Sequence, residues 1–147
     1  LDVAWVKRLS AILHLGQRAL LLLAAALGLG VLLVTGNTIR LAVQNRREEI
    51  EVQKLVGATD AFIRRPFLYS GFLQGALAGA LAWGLVAGGL LSLSRPVAEL
   101  AGLYGAQFQL VGLNLLEGLA LIGLAGALGW VGAFHSVGRQ LHAIEPS

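Results

Sequence analysis

Three long uncharged runs alternate with short charged stretches along the chain. They occupy residues 19–39, 66–94 and 118–138, and they contain 21, 29 and 21 residues. A helix needs about 20 apolar residues to cross a bilayer, so each run is long enough to span. A chain of 147 residues could not bury three such helices in a soluble core. The pattern therefore predicts an all-α membrane protein with three transmembrane helices.

The positions of lysine and arginine predict how these helices are oriented. Six basic residues lie in the connector 40–65, whereas the connector 95–117 has one. Cytoplasmic loops carry the excess of lysine and arginine, so the first connector is predicted to be cytoplasmic and the second external. Three basic residues before the first run, Lys7, Arg8 and Arg18, argue weakly for the opposite orientation.

An amphipathic helix is predicted to lead into the first span. Trp5, Leu9, Ile12 and Leu13 have the spacing of one helical face, and tryptophan suits the membrane surface. The chain then divides into seven predicted segments. They are an external juxtamembrane amphipathic helix at 1–17, a transmembrane helix at 18–39, a cytoplasmic coupling segment at 40–65, a transmembrane helix at 66–94, a short external loop at 95–117, a transmembrane helix at 118–138 and a cytoplasmic tail at 139–147.

The predicted cytoplasmic stretch has the pattern of two helices joined by a sharp turn. Its sequence from 46 to 66 is RREEIEVQKLVGATDAFIRRP. Gly57 is suited to end the first helix in a left-handed conformation, and Thr59 or Asp60 can cap the second. Pro66 is expected in the first turn of the next span, at a bend into the membrane. A solvated loop has little reason to expose the apolar residues found here, which are Ile50, Val52, Leu55, Val56 and Phe62.

Glycines recur at every fourth position within the second run. Gly71, Gly75 and Gly79 form one such row, and rows of this kind let two helix backbones approach closely in a membrane. We expect these glycines to pack against another helix of the chain or against a second copy. Gln74 and His135, the polar exceptions in the runs, are expected to be structural.

Several kinds of chemistry have no support in the sequence. Charged residues make up 13% of the chain against about 25% in an average soluble domain, and there is no cysteine for disulfides or thiolate metal sites. The phosphate-binding pattern G-x-x-x-x-G-K-[ST] is absent, and the three histidines have no metal-site spacing. We therefore expect no catalytic residues, no metal and no cofactor. The net charge of +3 is too small to indicate nucleic-acid binding.

The run NTIRLAVQNRREEIEVQKLVGATDAFIRRPFLYSG, from Asn37 to Gly71, resembles the signature of the FtsX family. FtsX proteins are bacterial cell-division membrane proteins related to the permease subunits of ABC transporters. The resemblance extends along the chain, and it implies a type VII ABC permease-like architecture. Because such proteins have four spans and a large external domain, we expect the chain to be the C-terminal half of a longer protein.

The resemblance also implies partners and a mechanism. Proteins of this family pair with the ATPase FtsE, two copies of each, and transmit conformational change across the inner membrane at the division septum without moving a solute. They activate peptidoglycan hydrolases, often through an EnvC-like adaptor that binds the external domain. The coupling residues implied here are Glu48, Glu49, Ile50, Glu51, Val52, Lys54, Leu55, Val56, Gly57, Ala58 and Thr59. The alternative is the permease subunit of a related ABC exporter or lipoprotein-extracting complex, since those proteins share part of this pattern.

Overall fold

The computed structural model describes residues 2–103, 105 and 111–143, which are mostly helical and contain no strand. Four helices occur in that part of the chain. They are α1 (Asp2–Asn45), α2 (Arg47–Leu55), α3 (Asp60–Leu103) and α4 (Leu115–Ala143). Among the described residues α1, α3 and α4 are long and apolar enough to cross a membrane. The predicted class, an all-α membrane protein with three spanning helices, is confirmed.

The chain separates into two compact units, residues 1–34 and 35–147. The first unit is helical throughout its described residues, and most of its large apolar side chains, such as Leu22, are exposed. An exposed apolar surface of this length is typical of a helix surrounded by lipid. The predicted lead-in helix and the start of the first span both lie in α1, and the division between them at residue 17 stays a prediction.

The second unit is built on close packing between α3 and α4, and Gly71, Gly75 and Gly79 lie at that contact. A Cβ atom added to Gly71 would lie 2.6 Å from the carbonyl oxygen of Gly129. One added to Gly75 would overlap the carbonyl oxygen of Ala125. The helices approach this closely because the glycines of α3 have no side chains and α4 brings only the small methyl groups of Ala125 and Ala133 to the contact. Of the two partners that the sequence left open, this glycine row packs against α4 of the same chain.

Two aromatic side chains of α3 also pack at this contact, Phe72 within the glycine row and Trp83 beyond it, toward the start of α4. The Phe72 ring packs on Gly126, and the Trp83 indole packs on Gly118, where an added Cβ would lie 2.6 Å from its ring atoms. Glycine on one helix thus alternates with a large ring on the other, which fills the space without separating the helices. Gly84 and Gly88 have open space around them.

The ends of α1, α3 and α4 meet α2 around a small apolar core. Its buried members are Ile39, Val43, Ile50, Ile63, Phe67, Ala133, Val137 and Leu141. A hydrogen bond beside this core joins two helices, since the Ser136 hydroxyl of α4 donates to the carbonyl oxygen of Gly36 in α1 at 2.8 Å. The core therefore fixes all four elements at the end of the unit where the predicted cytoplasmic segment lies.

The second long helix differs from the expectation at both of its ends. It begins at Asp60, so Pro66 is its seventh residue and lies inside the helix, not in its first turn as expected. The preceding turn stays helical because Ile63 and Phe67, four residues apart, bury against the same core. At the other end, α3 continues through Pro96 to Leu103, well into the predicted external loop. Residues 104 and 106–110 of that loop lie outside the described residues.

Helix α4 begins with a side-chain cap supplied by Glu117. The backbone N–H of Asn114, the residue before the helix, donates to the Glu117 carboxylate at 3.0 Å. A glutamate at the third helical position satisfies an N–H group that would otherwise lack a partner, as in a capping box. Glu117 thus marks the start of the third predicted span for a local structural reason.

Candidate functional site

The predicted coupling segment is a short helix closed by a glycine turn. Helix α2 has Glu48 and Glu49 in its first turn and Lys54 in its last, an arrangement that suits the helix dipole. On its outer surface, Arg47 forms an ion pair with Glu51 at 3.0 Å, one turn further along. These local interactions favour a helix of only nine residues, which would be marginal alone in water.

Gly57 ends α2 in the left-handed conformation, with φ of +89°. Its N–H donates to the Lys54 carbonyl at 3.0 Å, and the N–H of Ala58 donates to the Gln53 carbonyl at 2.9 Å. This pair of hydrogen bonds is the Schellman arrangement, which satisfies carbonyls at a helix end. Thr59 then precedes α3, and its carbonyl accepts N–H groups from Phe62 and Ile63. The turn that the sequence predicts at Gly57 is present.

One face of the segment is turned into the protein. Ile50 of α2 is 3% exposed and Ile63 of α3 is 2% exposed, and both belong to the apolar core. Ala58 is partly buried against the same core. Burial of side chains of this size contributes about 1.5–3 kcal/mol each, so the core holds the segment firmly against the bundle.

Lys54 attaches the segment to the end of α4. Its ammonium group donates to the carbonyl oxygen of Leu141 at 3.1 Å, and it lies 3.8 Å from the Asp60 carboxylate. The Lys54 side chain is only 13% exposed. Leu141 lies in the last turn of α4, where carbonyls have no helical partner and a positive charge is favourable. The sequence offered Lys54 as a coupling residue and gave no sign of this internal contact.

The opposite face of the segment is open. Leu55 and Val56 are 79% and 81% exposed, and Val52 and Phe62 are also exposed. Glu48 and Glu49 lie beside them in solvent, and Glu49 is 4.0 Å from Arg46. The residues that the sequence grouped together thus divide into an inner set and an outer set. The inner set is Ile50, Lys54 and Ala58, and Glu51 is half-buried between the two sets. The outer set is Glu48, Glu49, Val52, Leu55, Val56, Gly57 and Thr59.

The Arg64 side chain extends from α3 toward α4, close to the coupling segment. Its guanidinium is 5.6 Å from the centre of the Phe134 ring, and Phe134 stacks on Trp130 with ring centres 5.8 Å apart. Positive charge over an aromatic face is attractive, and more so away from water. Sequence reasoning missed this cluster, although a tryptophan and a phenylalanine four residues apart on one helix were a usable signal. Among the described residues, no group of His, Cys, Asp or Glu could hold a metal ion.

Comparison with known proteins supports the resemblance drawn from the segment. Residues 21–140 match the family model described as FtsX-like permease C-terminal. The chain belongs to this family of FtsX-like permeases. It is 53% identical over 146 residues to the cell division protein FtsX of Pseudomonas putida, covering 99% of this chain and 43% of the relative. It is 47% identical over 147 residues to FtsX of Aeromonas hydrophila, covering 100% of this chain and 46% of the relative.

A more distant FtsX, that of Neisseria gonorrhoeae, is 38% identical over 148 residues and matches across 96% of this chain and 46% of its own length. The chain therefore spans about half the length of the FtsX proteins that it matches. The family and the three apolar helices together identify it as a permease-like membrane protein.

Proposed function

We propose that the chain is the membrane portion of a cell-division subunit that transmits conformational change from a cytoplasmic ATPase across the bacterial inner membrane. The ATPase is of the FtsE type, and the subunit acts as one of two copies in an ABC-type complex at the septum. It moves no solute and hydrolyses no ATP itself. The names of the FtsX relatives support the role in cell division, and the family description supports the permease-like architecture.

The outer set of the coupling segment is the proposed docking surface. The observation that supports it best is the exposure of Leu55 and Val56 at a turn whose backbone is closed by hydrogen bonds. Large apolar side chains at such a site gain free energy when a partner covers them, and the neighbouring carboxylates can fix the register of the contact. Ile50 and Lys54 face inward, so they support this surface and do not belong to it.

Motion of the segment would reach the membrane through two routes. Gly57 and Thr59 join it covalently to α3, and Lys54 together with the core joins it to the end of α4. Because α3 and α4 contact each other through their backbones, a displacement of α2 would move them together. The external region, outside this chain, would then respond and activate peptidoglycan hydrolases through an EnvC-like adaptor.

Co-purification of the full-length subunit with its ATPase tests the docking surface. Leu55→Asp should weaken ATPase retention by tenfold or more, because a buried contact of this kind contributes about 1.4 kcal/mol or more to binding. The matched control is Leu103→Asp, an equally exposed leucine at the opposite end of α3. Wild-type retention by the Leu55 variant would refute the docking role. ATP-dependent movement of lipid or drug by the purified complex would favour the exporter alternative.

A further inference from the structure

A groove lies on the surface of the α3–α4 pair, close to the coupling segment. It encloses about 360 Å³, and its lining residues are Arg65, Leu68, Tyr69, Phe72 and Trp130. Four of these residues lie on α3. Counted from Arg65, the other three follow at the third, fourth and seventh positions, so the four side chains form one stripe along the helix. The stripe begins with a guanidinium group and continues with apolar and aromatic side chains. It is therefore amphiphilic along the direction in which α3 would cross the bilayer.

This end of the helix pair has an excess of positive charge. Arg64 and Arg65 lie on α3, and Arg139 lies on α4 one residue beyond Gly138, which is near the Arg64 guanidinium. None of the three forms an ion pair within the described ranges, where Asp60 is already paired with Lys54. The Nε atom of Arg64 is buried and has no hydrogen-bond partner there. The local field thus favours an anion at the mouth of the groove.

We infer that the groove binds an anionic phospholipid. The headgroup phosphate pairs with Arg65, and an acyl chain lies along Leu68, Phe72 and Trp130. Arginine is suited to phosphate because its planar guanidinium can donate two parallel hydrogen bonds. The distribution of basic residues predicts that this end lies in the cytoplasmic leaflet, where basic pockets between helices bind acidic headgroups. The inference is independent of the proposed ATPase partner.

A second copy of the chain fits the groove less well than a lipid. Two copies in the same membrane share one orientation, so a twofold contact through this face would bring the same ends together. The arginines of both copies would then meet, and none of Arg64, Arg65 and Arg139 has an ion-pair partner among the described residues to offset the repulsion. Like charges in a poorly hydrated contact are unfavourable, whereas a phospholipid supplies both the missing negative charge and the apolar chain.

Native mass spectrometry of the full-length protein, titrated with phosphatidylglycerol or phosphatidylcholine in detergent, tests this site. The wild-type protein should bind phosphatidylglycerol more tightly. Arg65→Gln should reduce that preference about fivefold, the effect of one cation near an acidic headgroup, and Arg65→Lys should retain most of it. The matched control is Arg95→Gln, an exposed arginine near the other end of the same helix. It should leave the preference unchanged.

A second variant separates the two parts of the groove. Trp130→Ala removes an apolar wall without changing the charge. It should therefore weaken the binding of both lipids to a similar extent and leave the preference for phosphatidylglycerol in place. Equal binding of the two lipids by the wild-type protein would overturn the inference. An equal loss of the preference for phosphatidylglycerol in Arg65→Gln and Arg95→Gln would also overturn the inference, because the attraction would then not depend on the position of the arginine. So would a change in dimer content on Arg65→Gln with phosphatidylglycerol binding unchanged, which would indicate a second copy in the groove.

Discussion

Replacing Lys54 with methionine tests whether the coupling segment is fastened to the end of α4. Methionine keeps an unbranched apolar stem that reaches as far as the Cε atom of lysine, but it removes the ammonium group. The variant loses the hydrogen bond to the Leu141 carbonyl at 3.1 Å and the ion pair with Asp60 at 3.8 Å. Leu141 and Asp60 stay in place, so the change isolates the polar contact from the packing.

The size of the effect follows from the surroundings of the ammonium group. A hydrogen bond from a charged donor contributes about 1.5–3 kcal/mol net. The ion pair adds less than about 1 kcal/mol, because the Asp60 side chain is 49% exposed and solvent screens it. Removing a charge from a site that is 13% exposed also relieves its desolvation, which offsets part of the loss. We expect the last turn of α4 to become about 1–2 kcal/mol less stable, a factor of about 5–30 in opening.

Hydrogen exchange of the full-length protein measures this opening directly. Amides in the last turn of α4 should exchange about 5–30 times faster in the Lys54→Met variant. The matched control is Arg47→Gln, which breaks an exposed ion pair on the outer face of α2 and should leave α4 unchanged. Unaltered exchange at the end of α4 in the Lys54 variant would refute the fastening. An equal acceleration in both variants would show that any loss of charge on α2 acts in the same way.

Two glycines give further predictions about the frame that holds the site. Gly75→Ala should cost about 1–3 kcal/mol and lower the Tm, because its Cβ would overlap the Ala125 carbonyl oxygen. Gly84→Ala, in open space inside the same helix, should leave the Tm unchanged or raise it slightly, and equal Tm values for the two variants would contradict the close contact. Gly57→Ala should cost about 1 kcal/mol through its φ of +89° and speed amide exchange around the turn about fivefold. Gly57→Asn should cost less, since asparagine tolerates this conformation, and a larger loss with asparagine would exclude the backbone explanation.

The sequence predicted the helices well because the bilayer imposes simple rules. Length and freedom from charge were enough to predict three spanning helices, and Gly57 was enough to predict the turn. The expectation that Pro66 lies in the first turn of a helix was wrong. A proline shows only that its residue has no backbone N–H to donate, and this does not determine where the helix begins. Whether the helix continues before it depended on Ile63 and Phe67 sharing a core with distant residues.

The coupling segment shows where sequence reasoning stops. A stripe of apolar residues on a short helix does not say whether the partner belongs to the same chain or to another. Ile50 turned out to face the core, whereas Leu55 faces solvent, although both are apolar residues of one helix. Lys54 carries the same ambiguity, because a lysine looks alike in sequence whether it meets solvent or a helix end 87 residues away.

The contact between α3 and α4 also determines which mutations can be rescued by a second one. At Gly75, the atom that an added side chain would meet is the carbonyl oxygen of Ala125, which every replacement at 125 retains. At Gly126 and Gly118, the opposing groups are the rings of Phe72 and Trp83, which smaller side chains could replace. A suppressor screen should therefore recover compensating changes on the facing helix for substitutions at Gly126 and Gly118. It should recover none on the facing helix for substitutions at Gly75. Neighbouring positions of one helix pair would thus tolerate sequence change to different degrees.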